Sequence, residues 1–245
     1  MVRLSVNVNK VATLRNARGG HVPGVLTAVR TILAAGCRGI TVHPRADERH
    51  IQRRDVIEIA AELAPLRGSV EYNVEGDPRP DLMDLVCELR PHQCTLVPVL
   101  PGEVTSQAGW PASTSQLEIG AVVRRLQAHG VRVSMFVDPE PAPIRWAAAL
   151  GAERIELYTA PFARAYEEGQ GEASLARYAA AAELAHSLGL GINAGHDLDL
   201  ANLPLFRRLP HLDEVSIGHA LISRALFVGL DTVVREYLAV LAELD

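Results

Sequence analysis

The feature that most constrains the fold of this chain is the regular alternation of short apolar runs with stretches of helical period. Strand-like runs occupy residues 4–8, 39–43, 68–73, 93–98, 131–137, 154–158, 189–193 and 214–218. Helical patterns occupy residues 22–35, 54–64, 81–89, 115–129, 141–150, 175–188, 200–209 and 220–244. Parallel strands need a crossover connection, and the usual crossover is a helix, so this alternation predicts a (β/α)8 TIM barrel of the α/β class.

One barrel accounts for the length of the chain. Its 245 residues match the usual barrel size of about 250 residues, so we expect a single barrel domain over residues 1–245. The competing α/β architecture is a doubly wound sheet, which normally has fewer strands and a glycine-rich GxGxxG turn after the first strand. The sequence contains no GxGxxG motif, and this favours the barrel.

Composition narrows the classes of function. The formal net charge is −5 and the acidic and basic residues are interspersed, so we expect neither a nucleic-acid partner nor a membrane-binding face. No run approaches the roughly 18 apolar residues of a membrane span, and the first residues lack the apolar core of a signal peptide. The three cysteines have no CxxC spacing and are expected to be reduced and buried. The prediction is a soluble, cytoplasmic protein.

Residues 39–50 mark where chemistry is expected. Their apolar run stops at Pro44, which cannot donate to a strand ladder, so His43 is placed at the carboxyl end of the second strand, with Arg45 and His50 in the following loop. Barrel sites are built from these strand ends and loops. The corresponding positions in the other units are Asn7, Asn9, Glu71, Thr105, Asp138, Glu156, Asn193, His196, Gly218 and His219. Histidines and carboxylates gathered at one end of a barrel suit acid–base catalysis.

Two segments with a Gly-His pair follow the seventh and eighth strands, at residues 193–196 and 217–220. Glycine lets the backbone approach a ligand closely, and free N–H groups at the start of a helix favour an anion. Barrels frequently hold a phosphate between these two loops. We therefore expect a phosphorylated substrate, with Arg18 and Arg45 as further partners of its phosphate or carboxylate group.

The same residues could also have purely structural roles instead of catalytic or binding roles. His43 could be a packed histidine, and Glu71 could be an ion-pair partner of Arg45, since ion pairs also line barrel rims. A metal site formed by His43, His50 and His196 is disfavoured because the sequence has no HxH or HExxH spacing, so neither a metal nor a cofactor is predicted. The two longer loops, residues 99–114 and 160–173, are candidate lids.

Several segments together resemble the pyridoxine 5′-phosphate synthase family. They are residues 7–19, 39–45 with 49–51, 96–98 with 103–105, 193–196 and 217–220. The resemblance runs in order from about residue 4 to residue 235. It implies a barrel that condenses 1-deoxy-D-xylulose 5-phosphate with 3-amino-2-oxopropyl phosphate to give pyridoxine 5′-phosphate, phosphate and water. It also implies a homo-octamer that works without a metal or an organic cofactor.

The resemblance assigns roles to individual residues. His43 and Glu71 are similar to the family's proton acceptors, and His196 is similar to its proton donor. The residues that fall where the aminoketone phosphate is bound are Asn7, Arg18, Asp197, Gly218 and His219. Those that fall where the deoxyxylulose phosphate is bound are Asn9, Lys10, Arg45, His50 and Thr105.

Some positions depart from the common family pattern. Asn9 and Lys10 stand where Asp-His is common, Pro44 replaces Leu, and Asp197 replaces Gly. We expect Asp197 to act through its backbone N–H, because an anionic side chain facing a phosphate would repel it. Tyr158 replaces a histidine, and residues 99–101 replace a charged run.

Two other classes of function compete with the synthase. One is a phosphosugar isomerase or epimerase, which would need a single substrate and an acid–base pair across one carbon. The other is a catalytically silent barrel that acts as an oligomeric binding protein. The paired phosphate-binding signals at Arg18 and at Arg45 with His50 favour two phosphorylated substrates. If the chain is oligomeric, the predicted interface lies on the last helix, at Val234, Tyr237 and Leu238.

Overall fold

The computed structural model describes residues 2–98 and 107–242, and its centre is a closed barrel of parallel strands arranged in sequence order. The strands are β1 Arg3–Asn7, β2 Gly39–Val42, β3 Glu71–Gly76, β4 Gln93–Leu96, β5 Arg132–Val137, β6 Arg154–Tyr158, β7 Gly191–Gly195 and β8 Leu212–Ile217. Each strand pairs with the next, and β8 pairs with β1, where Leu4 lies opposite Val215. The predicted (β/α)8 TIM barrel is therefore confirmed.

Helices surround the barrel and connect its strands. They are α1 Asn9–Asn16, α2 Val25–Ala34, α3 Arg53–Leu63, α4 Pro80–Leu89, α5 Gln116–Ala128, α6 Pro141–Ala149, α7 Ala160–Glu167, α8 Gly171–Ser187, α9 Leu203–Phe206, α10 His219–Val228 and α11 Leu230–Ala242. Their apolar faces follow helical spacing. In α2, for example, Val25, Val29 and Ile32 are buried. These positions share one face of a helix, and that face packs against the outside of the barrel.

The inside of the barrel is polar. On β2, Ile40 and Val42 belong to the apolar layer under the helices, whereas Thr41 between them is buried among polar groups. The Thr41 hydroxyl lies 2.7 Å from the Ser5 hydroxyl, and Asn73 donates to it from β3. Because side chains alternate along a strand, each strand supplies one apolar face to the helices and one polar face to the interior. The interior therefore leads polar groups up to the carboxyl end, where a site is expected.

The third strand lies three residues further along than predicted. Residues 68–70 form a turn, in which Ser69 and Val70 donate to the carbonyl of Leu66, and β3 starts at Glu71. The alternation of apolar residues in fact continues through Val74, beyond the predicted end at residue 73. The prediction that Glu71 lies at the carboxyl end of this strand is wrong, because Glu71 begins it.

Other boundaries also differ from the predictions. The predicted loop over residues 160–173 contains α7, and the stretch between β1 and α2 contains α1. The predicted helix over residues 200–209 is reduced to α9. The last predicted helix is divided at Gly229, where the left-handed φ of +89° breaks it into α10 and α11. Residues 99–106 of the other candidate lid, which was predicted over residues 99–114, lie outside the described residues.

The predicted oligomer interface on the last helix is wrong as well. Val234 and Tyr237 are fully buried against the barrel, and Leu238 packs partly against the same core. The exposed apolar side chains nearby are Leu226 and Phe227 of α10 instead.

The described helices include none that is both long enough and apolar enough to cross a bilayer.

Candidate active site

A cavity of about 540 Å³ opens at the carboxyl ends of the strands. The predicted site residues that line it are Asn7, Asn9, Lys10, His43, Arg45, His50, His196, Asp197, Gly218 and His219. They come from the strand ends, loops and helix starts at the carboxyl ends of β1, β2, β7 and β8, which are far apart in the sequence and are brought together by barrel closure. The location of the site at the carboxyl end agrees with the prediction.

Two asparagines join the first two of these loops. The Asn7 side chain accepts the backbone N–H of Asn9 at 3.0 Å, which holds the tight turn from β1 into α1. The Asn9 side chain in turn accepts the backbone N–H of His43 at 3.0 Å. The position of His43 is therefore tied to the start of α1 as well as to its own strand.

His43 faces a carboxylate that the sequence analysis did not select. Its Nδ1 lies 3.8 Å from Oε2 of Glu75, and the two side chains are 12% and 9% exposed. Asn7 and Asn73 donate to the two Glu75 oxygens at 3.5 and 3.3 Å. Glu75 occupies the carboxyl end of β3, where the sequence analysis had placed Glu71. The signal that would have found it is the continued alternation of Val70, Tyr72 and Val74.

The environment shifts the pKa values of this pair in opposite directions. Burial, followed by the nearby His50 and Arg45, lowers the pKa of His43 to about 3. Burial, followed by the carboxyl groups of Glu156 and Glu214, raises the pKa of Glu75 well above its usual range. His43 is therefore neutral at pH 7, which is the form that a proton acceptor requires.

Glu71 lies at the other end of the barrel. Its carboxylate accepts a hydrogen bond from Arg132 and pairs with Nη1 of Arg3 at 3.1 Å. Four residues separate it from Glu75, which at about 3.3 Å per residue places it roughly 13 Å away. Glu71 is therefore a structural ion-pair residue, but its partners are Arg3 and Arg132 rather than Arg45. The structure does not bring it together with His43.

One further predicted residue of the described part of the chain does not line the cavity. Arg18 is exposed in the turn after α1. Thr105 lies outside the described residues. The buried arginine of this region is Arg15, which binds both oxygens of Asp55, at 2.5 and 2.8 Å.

Basic side chains cluster on the side of the cavity formed by the loops after β1 and β2. Lys10, Arg45, Arg49 and His50 all line this side. Nδ1 of His50 accepts the N–H of Ile51 at 2.9 Å, and burial, followed by Lys10 and Arg45, lowers the pKa of His50 to about 4. At pH 7 this imidazole is neutral and carries its proton on Nε2, whereas the lysine and arginines supply positive charge for an anion.

The opposite side of the cavity is formed by backbone. Gly218 precedes the first turn of α10, which starts at His219, and both residues line the cavity with Ala220. The N–H groups of a first helical turn have no partners within the helix and favour an anion. A side chain at Gly218 would approach the Asn7 side chain at 3.1 Å, so glycine keeps this wall open.

Glu156 forms the floor of the cavity beside His196. A Cβ at Gly195 would lie 2.4 Å from Oε1 of Glu156, so only glycine permits this approach. Burial, followed by Glu214, raises the pKa of Glu156 to about 8. Glu156 was predicted at a strand end but not among the site residues.

The remaining wall is apolar. Val97 and Phe136 line the cavity, and they belong with Tyr158 and Ala160 to a small apolar cluster separate from the main core. The Tyr158 ring meets the His196 ring edge-on, with centroids 5.2 Å apart. The cavity can therefore bind phosphorylated ligands through its two anion-binding sides and hold a planar organic group against its apolar wall. Its neutral histidine and its carboxyl groups can move protons on that group.

Described residues include no group of three or more His, Cys, Asp or Glu side chains arranged to hold a metal ion.

Comparison with known proteins relates this chain to a family. Residues 4–243 match the family model described as pyridoxal phosphate biosynthesis protein PdxJ. A pyridoxine 5′-phosphate synthase of Porphyromonas gingivalis is 51% identical over 238 residues, covering 97% of this chain and 98% of the relative. One of Leptospira biflexa is 47% identical over 254 residues, with 99% and 98% covered.

Solved structures with lower identity support the fold alone. The 3-hexulose-6-phosphate synthase of Salmonella typhimurium has a TM-score of 0.66 at 13% identity and covers 98% of each chain. A phosphoribosylanthranilate isomerase of Thermotoga maritima has a TM-score of 0.59 at 12% identity, with both chains covered completely. The full-length family match and the close relatives go further than this shared fold. The chain belongs to the PdxJ family of pyridoxal phosphate biosynthesis proteins.

Proposed function

We propose that this chain is a pyridoxine 5′-phosphate synthase that condenses 3-amino-2-oxopropyl phosphate with 1-deoxy-D-xylulose 5-phosphate. The observation that carries the proposal is the pairing of a neutral His43 with Glu75 in one cavity, with His196 across from them. Family membership and the names of the relatives support it independently. The products are pyridoxine 5′-phosphate, inorganic phosphate and water.

Two anionic substrates fit the two sides of the cavity. The deoxyxylulose phosphate is assigned to the basic side, with Asn9, Lys10, Arg45, His50 and Thr105 as its partners. The aminoketone phosphate is assigned to the start of α10, with Asn7, Asp197, Gly218 and His219. Arg18 stays in this second group on the resemblance alone, because within this chain it lies outside the cavity.

The chemistry needs several proton transfers. The amine of one substrate and the ketone of the other lose water to form an imine, and elimination and ring closure then move further protons on or off carbon and oxygen. His43, being neutral, accepts a proton, and the carboxyl group of Glu75, which burial keeps protonated, exchanges a proton with the imidazole in the place that was expected of Glu71. His196 donates a proton to the leaving oxygen. A carboxyl group and two histidines cover these steps near neutral pH.

The proposed assembly is a homo-octamer in the cytoplasm. Support for association comes from α10, where Leu226 and Phe227 are 67% and 88% exposed. Large apolar side chains side by side on a surface are typical of contact with another protein. Light scattering coupled to size-exclusion chromatography measures the mass directly, and a monomer at micromolar concentration would contradict the proposal.

The direct test is to incubate the purified protein with both substrates and to follow pyridoxine 5′-phosphate by absorbance together with phosphate release. The proposal predicts one phosphate released for each pyridoxine 5′-phosphate formed, and no product when either substrate is omitted. If both substrates remain intact, the proposal fails. Conversion of one substrate in the absence of the other would instead support the alternative function of a phosphosugar isomerase or epimerase.

A further inference from the structure

We propose that Asn16 is a positioning residue for the deoxyxylulose phosphate: its side-chain amide fixes the backbone of His50 and thereby sets which nitrogen of the His50 ring is the donor on the basic side of the cavity. The inference rests on the proposed function, in which His50 binds this phosphate. Asn16 does not line the cavity itself, so it acts through His50 and not by contact with a ligand.

The segment that carries His50 has no regular structure to hold it. Residues 43–52 connect β2 to α3 without a helix or a strand. Backbone groups in such a segment need partners from elsewhere in the fold. Helix α1 supplies them near both ends of the segment. Asn9 at the start of α1 accepts the N–H of His43 at 3.0 Å, and Asn16 at its end donates to the carbonyl of His50 at 2.8 Å.

The Asn16 amide is oriented by its own partners. Its Nδ2 lies 2.8 Å from the carbonyl oxygen of His50 and 3.3 Å from that of Arg49, while its Oδ1 accepts a hydrogen bond from Nε of Arg15 at 3.0 Å. The reverse orientation would place the amide oxygen against two carbonyl oxygens and the amide N–H groups against a guanidinium. The orientation with both N–H groups toward the segment therefore pairs donors with acceptors.

Arg15 adds to the hold on His50. It is buried, its guanidinium binds both oxygens of Asp55 on α3, and its Nη2 also donates to the His50 carbonyl at 3.4 Å. The same Asp55 carboxylate accepts the N–H of Gln52 at 2.8 Å. Side chains from α1 and α3 therefore hold the backbone on both sides of Ile51.

A single peptide group transmits this hold to the His50 ring. The carbonyl of His50 and the N–H of Ile51 belong to the same planar unit, so fixing the direction of one fixes the direction of the other. That N–H donates to Nδ1 of His50 at 2.9 Å, and the Ile51 side chain is fully buried. Because the imidazole is neutral at pH 7 and Nδ1 is an acceptor, the proton of the ring lies on Nε2. The ring thus offers a donor on the side of the cavity that Lys10 and Arg45 also line.

The test compares Asn16→Asp and Asn16→Ala with the parent protein in steady-state synthase kinetics. Aspartate has the same shape and still accepts from Arg15, but it places a carboxylate oxygen against two carbonyl oxygens. Alanine removes the contacts without adding charge, so it serves if the aspartate variant folds poorly.

The expected effect is confined to one substrate. A neutral hydrogen bond is worth about 3- to 10-fold in an equilibrium constant, so KM for deoxyxylulose phosphate should rise by about that factor in Asn16→Ala. In Asn16→Asp, where repulsion is added, the rise should be at least about tenfold. Both kcat and KM for the aminoketone phosphate should stay within about twofold of the parent values.

A measurement without substrate follows the peptide group itself. Amide hydrogen exchange at Ile51 should be about 3- to 10-fold faster in both Asn16 variants, because the His50 carbonyl of the same peptide group loses a donor. Arg30→Gln is the matched control. It removes a two-point contact between α2 and α3, from Arg30 to Glu62 at 2.8 and 2.7 Å, that involves none of residues 43–52. Neither KM nor exchange at Ile51 should change in this control.

An unchanged KM for deoxyxylulose phosphate in both Asn16 variants would overturn the inference, as would unchanged exchange at Ile51. Equal rises in the KM of both substrates, or the same changes in Arg30→Gln, would also overturn it, because they would indicate a general structural effect. If exchange at Ile51 accelerates but the parent makes no pyridoxine 5′-phosphate, the hold of Asn16 on His50 stands and the proposed function is what fails.

Discussion

Strand β3 carries two glutamates at opposite ends of the barrel, and replacing each with glutamine separates catalysis from stability. Glu75 faces His43 at 3.8 Å, whereas Glu71 pairs with Arg3 and Arg132 at the amino end. The substitution is nearly isosteric and removes one ionisable group in each case. Glu75→Gln is expected to lose activity while it keeps its stability, and Glu71→Gln is expected to keep its activity while it loses part of its stability.

The magnitudes follow from the two environments. A positioned acid–base group contributes about 10²- to 10⁴-fold to rate, so kcat of Glu75→Gln should fall at least about 100-fold. Its Tm should stay the same or rise, because the variant removes a buried group whose ionised form is disfavoured. The Glu71 side chain is 13% exposed, but its arginine partners are 46% and 29% exposed, so solvent compensates for part of the lost pairing. We expect a loss of about 1–2 kcal/mol, or roughly 2–8 °C in Tm for a chain of this size.

The assays are steady-state synthase kinetics and calorimetric unfolding on the same preparations. Full activity in Glu75→Gln would refute the assignment of Glu75. A collapse of kcat in Glu71→Gln with an unchanged Tm would refute the placement of Glu71 and restore the role that the resemblance alone gave it.

Three further predictions follow from contacts elsewhere in the barrel. Burial raises the folded-state pKa of Glu214 to about 7, above the unfolded value of 4.5, so its contribution to stability is complete below pH 4.5 and is lost as the pH rises through 7. The Tm of Glu214→Gln relative to the Tm of the parent should therefore rise between pH 5 and 8. A Tm difference that stays constant over this range would contradict the prediction. Gly195→Ala should lower kcat by at least about tenfold because its Cβ meets Glu156 at 2.4 Å, and parental kinetics would show that the carboxyl group moves aside freely. A lysine in Arg15→Lys cannot bind both oxygens of Asp55, so the free energy of unfolding measured by urea titration should fall by about 1–3 kcal/mol. An unchanged urea midpoint would mean that this buried ion pair contributes nothing to stability.

Much of the fold could be predicted because it depends on local patterns. The alternation of strand and helix signals determined the barrel, and Pro44 located the end of β2. Helix α1 was missed because its asparagines and β-branched residues are weak helix formers. It is stabilised instead by burial of Val11, Ala12 and Arg15, which is a tertiary effect.

The site could be predicted only as far as strand ends could be located. Most cavity residues follow directly from that rule, but a boundary error of three residues exchanged Glu75 for Glu71. Glu71 and Glu75 are four positions apart and therefore lie on the same face of β3, so the error moved the predicted carboxylate along the strand from one end of the barrel to the other. The contacts of Asn16 with the carbonyl groups of Arg49 and His50 join residues that are 33 and 34 positions apart, and nothing in the local sequence specifies them.

We propose that the pyridine ring forms in the cavity between His43, Glu75 and His196. A crystal structure of the protein soaked with pyridoxine 5′-phosphate tests it most directly. We predict that the ring lies between these three side chains, with the phosphate either beside Lys10 and Arg45 or at the start of α10. Product bound elsewhere, or a phosphate at the amino end beside Arg3 and Arg132, would contradict the account.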